Sequence, residues 1–145
     1  MDPPNLRLAV LIDGDNTPAS RAEWVFTSVK TLGAAKIRRI YCDEHHRKNW
    51  SPLLDKYKLQ RRRVVLPNAG KNAADIAMVI DAMDLIRQQT FDGFCIVSSD
   101  SDFSRLVLRL QQEKISVFGF GYEKTPPGYK NICDKFFCAT IPPRA

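Results

Sequence analysis

At 145 residues, with 44% hydrophobic and 26% charged side chains, the chain has the length and composition of one globular domain able to bury a core. It contains no apolar run of transmembrane length and no signal-peptide pattern at Met1–Asn5, which points to a cytoplasmic protein without a membrane partner. The formal net charge is +6, and its excess is concentrated. Residues 36–63 hold ten Lys/Arg against three acids while the remainder is close to neutral, a distribution that suits a polyanion-binding face. Cysteines 42, 95, 133 and 138 form no Cys-x-x-Cys pair, so a zinc ribbon is unsupported and the thiols suit a reducing compartment.

Leu6 to Ile12 reads as a first strand buried on both faces, ending at Asp13-Gly14-Asp15-Asn16. Thr17-Pro18 then predicts an N-cap and first helical residue, with Ser20 and Glu23 as a second capping pair. Ala22, Val25, Val29 and Leu32 form one face of this helix, closed by Gly33. Lys36 to Tyr41 predicts a second strand, the polar stretch 42–48 a connection, and Pro52 to Tyr57 a short helix. Leu59 to Leu66 predicts a third strand carrying Arg61, Arg62 and Arg63, and residues 67–70 a loop. A long helix runs from Asn72 to about Gln89, its apolar face assigned to Ile76, Val79, Ile80 and Met83, with Asp81 and Asp84 in solvent.

Phe94 to Val97 is a fourth strand, and Ser98-Ser99-Asp100-Ser101-Asp102 turns into a helix marked by Phe103, Leu106, Val107 and Leu110. Ile115 to Phe120, a loop through Gly121 and Gly128, a short helix over 129–133 and a strand over 136–139 complete the pattern. Alternating strands and helices imply a three-layer α/β/α sandwich around a mostly parallel sheet of five or six strands. Residues 1–140 form a single domain, with 141–145 as a tail or linker.

Ligands of such sheets sit beyond the carboxyl ends of the strands. Asp13 and Asp15 follow strand 1, Asp100 and Asp102 follow strand 4, and Asp75 opens the long helix, so all five reach one edge if strands 1 and 4 are neighbours. Each has an ordinary use: Asp75 and Asp102 as partners of Asn72 and Ser99 in capping boxes, Asp13 and Asp15 as turn formers beside Gly14. Turn chemistry does not require five aspartates on one edge. Clustered carboxylates repel, and a hard divalent cation, Mg2+ or Mn2+, relieves the repulsion.

Leu11-Ile12-Asp13-Gly14-Asp15-Asn16, Asn72-Ala73-Ala74-Asp75-Ile76 and Ser98-Ser99-Asp100-Ser101-Asp102-Phe103 together resemble the NYN domain, in the LabA-like branch of the PIN-like nuclease superfamily. The resemblance spans most of the chain. It implies Mg2+- or Mn2+-dependent endoribonuclease activity, with Asp13, Asp75, Asp100 and Asp102 as catalytic and metal-ligating acids. Asn16 and Ser98 match the residues that brace such a site, and Asp15 is a further candidate ligand. The metal would activate water and stabilise phosphoryl charge, without a nucleophilic side chain.

The basic block would hold a single-stranded RNA, with Arg61 and Arg63 on one face of their strand and Lys71 and Arg105 near the acids. Trp50, Tyr57 and Tyr122 are candidate base-stacking residues with packing roles as the alternative. His45-His46 beside Asp43 and Glu44 chelates poorly, because neighbours on an extended segment point apart. Gly119-Phe120-Gly121 lacks the rest of a dinucleotide fingerprint. Two rival readings remain. Asp13-Gly-Asp15-Asn-Thr17 also fits the Asp-x-Asp-x-Thr pattern of a haloacid-dehalogenase-like phosphatase, with Asp13 as nucleophile and Asp15 as acid/base. The same fold could also serve as a non-catalytic RNA-binding or assembly module.

Overall fold

The computed structural model describes residues 5–63, 73–88 and 90–139. Six strands, β1 (Leu6–Asp13), β2 (Gly33–Cys42), β3 (Gln60–Arg63), β4 (Gly93–Val97), β5 (Ser116–Tyr122) and β6 (Lys135–Ala139), form one sheet in the order β3-β2-β1-β4-β5-β6. Every pairing is parallel. Parallel neighbours require crossovers, and these place α1 (Ala22–Lys30) and α2 (Glu44–Lys56) in one layer. The other layer holds α3 (Ala73–Gln88), α4 (Ser104–Gln112) and α5 (Pro127–Ile132). The chain order reverses between β1 and β4, so the crevice at their carboxyl ends is the topological switch point.

β1 explains why the core is double. Leu8, Val10 and Ile12 join the α1/α2 core, whereas Ala9 and Leu11 join the α3/α4 core, and all are fully buried. Cys95 and Val97 of β4 follow the first set, and Phe94 and Ile96 the second. A central parallel strand is apolar at every position for this reason. Cys42, Cys95 and Cys133 are buried free thiols, and Cys138 is an exposed one. Among the described residues no helix is long and apolar enough to cross a membrane.

Several expected boundaries move. Neither Thr17 nor Ser20 caps a helix: a 3-10 turn at Ala19–Arg21 precedes α1, and the Thr17 hydroxyl donates instead to the Val97 carbonyl at 3.3 Å. Gly33 does not close α1 but opens β2. The polar stretch after β2 is helical, because the Asp43 carboxylate accepts the His46 N–H at 2.9 Å and starts a thirteen-residue α2 with Pro52 inside it. Trp50 on that helix is buried and donates its indole N–H to the Gly14 carbonyl at 3.3 Å. Tyr57 stacks on Phe26. The predicted segment 64–66, the loop 67–70, Lys71, Asn72 and the tail 141–145 lie outside the described residues.

The apolar face of α3 is the largest correction. Ala74, Met78, Ala82 and Leu85 are the residues turned to the sheet, while Ile76 and Ile80 are each 55% exposed. Nearly every side of this helix is apolar, so periodicity alone does not choose its face. Small alanines let the backbone approach the sheet, and the polar contacts of Asp81 fix the rotation. Asp81 is buried rather than solvated: it accepts from the Tyr41 hydroxyl at 2.7 Å, Arg62 Nε at 2.9 Å and Arg39 Nη1 at 3.4 Å. Asp84 is exposed.

This network should show in stability measurements. Removing one partner from a buried ionic cluster leaves the others uncompensated. Asp81→Ala is expected to lower unfolding free energy by about 3 kcal/mol, the low end for a buried pair because Arg62 is partly exposed, and Tyr41→Phe, which keeps both arginine contacts, by about 1 kcal/mol. Equilibrium urea denaturation of the two variants checks the ranking.

Candidate functional site

The switch-point crevice is lined by side chains from three elements. Asp13 is the last residue of β1 and only 1% exposed. Its Oδ2 accepts from the Asn16 amide at 2.9 Å and the Ser98 hydroxyl at 2.8 Å, and its Oδ1 from the Asn16 N–H at 3.4 Å. Ser98 reaches both strands, because its Oγ also accepts the Asp100 N–H at 3.1 Å. Asp100 Oδ1 in turn accepts the Asp102 N–H at 2.9 Å, capping the 3-10 turn Ser101–Phe103 that leads into α4. That cap is Asp100, not Ser99, whose hydroxyl receives a hydrogen bond from Thr125 at 2.8 Å.

Asp75 lies in the first turn of α3, where the helix dipole favours a negative charge. It meets Asp100 and Asp102: one carboxylate oxygen from each of the three lies within 4.8 Å of the others. Burial pushes the Asp75 carboxyl up to about 7, reinforced by the charges of Asp13 and Asp100 and by hydrogen bonding with Asp100. Asp13 is also raised, chiefly by burial, with the Asn16 and Ser98 hydrogen bonds opposing the shift. The group is therefore a converging set of hard oxygen donors whose electrostatic cost a cation offsets.

A further observation fits a polar occupant. The Tyr129 hydroxyl is buried with no hydrogen-bond partner among the described residues, and the charges of Asp100 and Asp13 reach it. Buried hydroxyls are rarely left in this condition. On the solvent side, Asp75 and Asp102 open into a groove of about 320 Å3 whose apolar wall is Ile76, Val79, Ile80 and Phe103.

Asp15 does not join this cluster. Its Oδ1 accepts the Asp43 N–H at 2.9 Å and faces His46 Nδ1 at 3.1 Å, while His46 Nδ1 lies 2.9 Å from Asp43 Oδ1. These three form a second group with ligand-like spacing. Helical rather than extended backbone makes it possible, and Asp43 and Asp15 hold the His46 imidazole above its ordinary pKa. Gly14 divides the two groups: the chain turns there against β2, and a Cβ at this position would stand 2.9 Å from that of Cys42. Sequence spacing missed this set because it assumed no helix before Pro52.

The basic candidates scatter. Arg61 is half-buried beside the Cys42 thiol and pairs in register with Ile40, on the α1/α2 face rather than that of Asp75. Arg105 is exposed on the first turn of α4. The Arg63 side chain and Lys71 lie outside the described set. Of the aromatic candidates, Trp50 is core, Tyr57 is half-buried against Phe26, and Tyr122 is 38% exposed at the end of β5.

Comparison with known proteins agrees with this architecture. The crystal structure of a protein of unknown function from Vibrio parahaemolyticus superposes with a TM-score of 0.72 at 18% identity, covering 98% of this chain and 96% of that one. No curated protein matches the chain. The family model of the NYN domain matches residues 7–140, a span that contains all three acidic motifs and both layers of the sandwich. The chain belongs to the NYN domain family.

Proposed function

We propose that the protein is a ribonuclease of the LabA-like branch that hydrolyses phosphodiester bonds of single-stranded RNA with Mg2+ or Mn2+. The observation that carries this reading is the convergence of Asp75, Asp100 and Asp102 beside buried Asp13 at the switch point of the sheet. A bound divalent cation supplies charge stabilisation to the phosphoryl group and lowers the pKa of a coordinated water. Asp75, Asp100 and Asp102 are the residues that would hold it. Asp13 supplies a fourth negative charge at their inner side, in a position fixed by Asn16 and Ser98. All-oxygen donors favour Mg2+ or Mn2+ over softer ions. Exposed Arg105 at the start of α4 would attract the strand, with Arg61, Arg63 and Lys71 as candidates from the sequence alone, and the apolar wall of Ile76 and Ile80 would offer a surface for a base beside the acids.

The phosphatase alternative needs Asp15 free to exchange a proton at the Asp13 site. Its contacts with the Asp43 N–H and His46 engage it elsewhere. A binding module without catalysis predicts the same fold and the same RNA affinity, and differs only in turnover.

End-labelled RNA incubated with Mn2+, Mg2+ or EDTA separates these readings. Wild type should cut only with metal, and Asp100→Asn should lose on the order of a hundredfold or more in rate while still shifting RNA on a gel. A variant that cuts at the wild-type rate would remove Asp100 from the site. A chromogenic phosphate monoester hydrolysed in preference to RNA would instead favour the phosphatase.

The raised Asp75 carboxyl gives a second expectation. In EDTA the folded state keeps a proton that the unfolded chain has released, so stability should fall as pH rises from the ordinary carboxylate range, 3.8, to about 7. Asp75→Asn should flatten that decline, and saturating Mn2+ should raise the wild-type melting temperature most at the upper end. Thermal unfolding across this pH window, with and without metal, checks both.

A further inference from the structure

A cavity of about 430 Å3 lies between α1 and α2, with Lys30, Arg38, Lys56 and Lys58 around it and Glu23 as its one acid. It is separate from the acidic crevice. Arg38 pairs in register with Val10, three residues before Asp13 on β1, and shares the β2 face of Ile40, which packs in the α1/α2 layer. Lys30 ends α1, Lys56 ends α2 and Lys58 lies in the turn just beyond it, at the sheet edge remote from the acids.

The cavity has a built wall. Phe26 and Tyr57 stack with centroids 5.0 Å apart and planes at 13°. The Arg38 guanidinium lies over Phe26 at 5.2 Å, and its Nη1 donates to the Tyr57 carbonyl at 2.9 Å. The Lys56 ammonium lies 5.3 Å from the Tyr57 ring centre. Arg38 is thus held in place, and among the described residues its guanidinium donates only this one hydrogen bond of the five it can make. Among the described residues none of the four cations is paired with a carboxylate, although Arg39 and Arg62 on the other face both find Asp81. Like charges gathered around one cavity repel, and a polyanion reverses the sign of that interaction. The volume is within the usual range of ligand pockets.

We propose that this pocket is a second phosphate-binding site, which takes backbone phosphates of a nucleic-acid strand at a distance from the acidic edge. Free polyphosphate offers the same chemistry from another source. The choice of RNA as the strand rests on the proposed function; the site itself does not.

The test uses the full chain carrying Asp100→Asn, so that the RNA stays intact. Binding of a labelled single-stranded RNA of about twenty nucleotides is followed by anisotropy across a KCl series. The pocket variant is Lys30→Ala, Lys56→Ala and Lys58→Asn, the last because Lys58 has φ 53° and asparagine tolerates that conformation. A charge-matched control carries Arg87→Ala, Lys114→Asn and Lys135→Ala. The pocket variant should bind about tenfold or more weakly, with the salt slope reduced by about 2, near 0.7 for each lysine. The control should differ little from the parent. Tripolyphosphate should raise the melting temperature of the parent and not of the pocket variant.

Equal affinity and slope in pocket and control variants would overturn the proposal. A tripolyphosphate shift that needs the pocket, with RNA binding unaffected, would overturn the strand as its ligand. Wild-type cleavage assays keep the two readings apart. Pocket-dependent binding without metal-dependent cutting sinks only the nuclease, and cutting without pocket dependence sinks only this site.

Discussion

The Ser98 hydroxyl joins the two halves of the sheet at the point where the site forms. It donates to Asp13 at the end of β1 and accepts the N–H of Asp100 after β4. One small side chain therefore fixes two acids from strands that are neighbours in space and 85 residues apart in sequence. That contact depends on the parallel pairing of β1 and β4, in which Ile12 lies opposite Val97. A register slip of one residue would turn Asp13 toward α1 and α2 and leave its carboxylate in an apolar layer. The same slip would exchange the Leu8, Val10, Ile12 set with Ala9 and Leu11 between the two cores. The packing that makes the sheet stable thus also holds the acids in register.

Clustering acids opposes folding, and the surroundings limit that cost by local means. Asp13 is compensated by two side-chain donors, and Asp75 and Asp102 occupy first turns, where unpaired N–H groups favour negative charge. What these devices leave is still unfavourable: burial first, and the charges of neighbouring acids second, hold the Asp75 and Asp13 carboxyls above their ordinary range. Arginine neighbours would remove the remainder, yet Arg39 and Arg62 are engaged at Asp81. Among the described residues the cluster therefore retains a negative potential, which favours a cation.

The sheet, its parallel sense and the edge of the acids were legible because each depends on local pattern. Strands buried on both faces read as apolar runs, and acids stand where those runs stop. What could not be read depended on contacts distant in sequence. The rotation of α3 is set by Asp81 meeting Tyr41, Arg39 and Arg62, so the heavier Ile76 and Ile80 are left outside while Ala74 and Ala82 face the sheet. The start of α2 is set by Asp43, whose N–H donates to Asp15 across a turn at Gly14, where a Cβ would crowd the Cys42 and Ile40 side chains. Asp13 and Asp15 look like one motif in sequence. In space they serve different neighbours: two residues apart on an extended chain they would share a face, but the turn at Gly14 sends Asp15 toward the start of α2 instead.

The basic block divides in the same way. Residues at odd and even positions of β2 and β3 face opposite layers, so Arg39 and Arg62 enter the α3 side while Arg38 and Arg61 enter the α1/α2 side. Charge that looks uniform along the sequence divides into an internal network in which Asp81 meets two arginines, Arg61 beside the Cys42 thiol, and the cations around an open cavity. Had the cations of the cavity lain at the acidic edge, ion pairs would have formed there and offset the repulsion among the carboxylates. An acidic cluster and a group of cations unpaired among the described residues persist on one small domain only if the fold keeps them apart. Alternation along β2 turns Arg38 to the α1/α2 side, and the run of α1 and α2 back across the sheet carries Lys30, Lys56 and Lys58 to the edge remote from the acids.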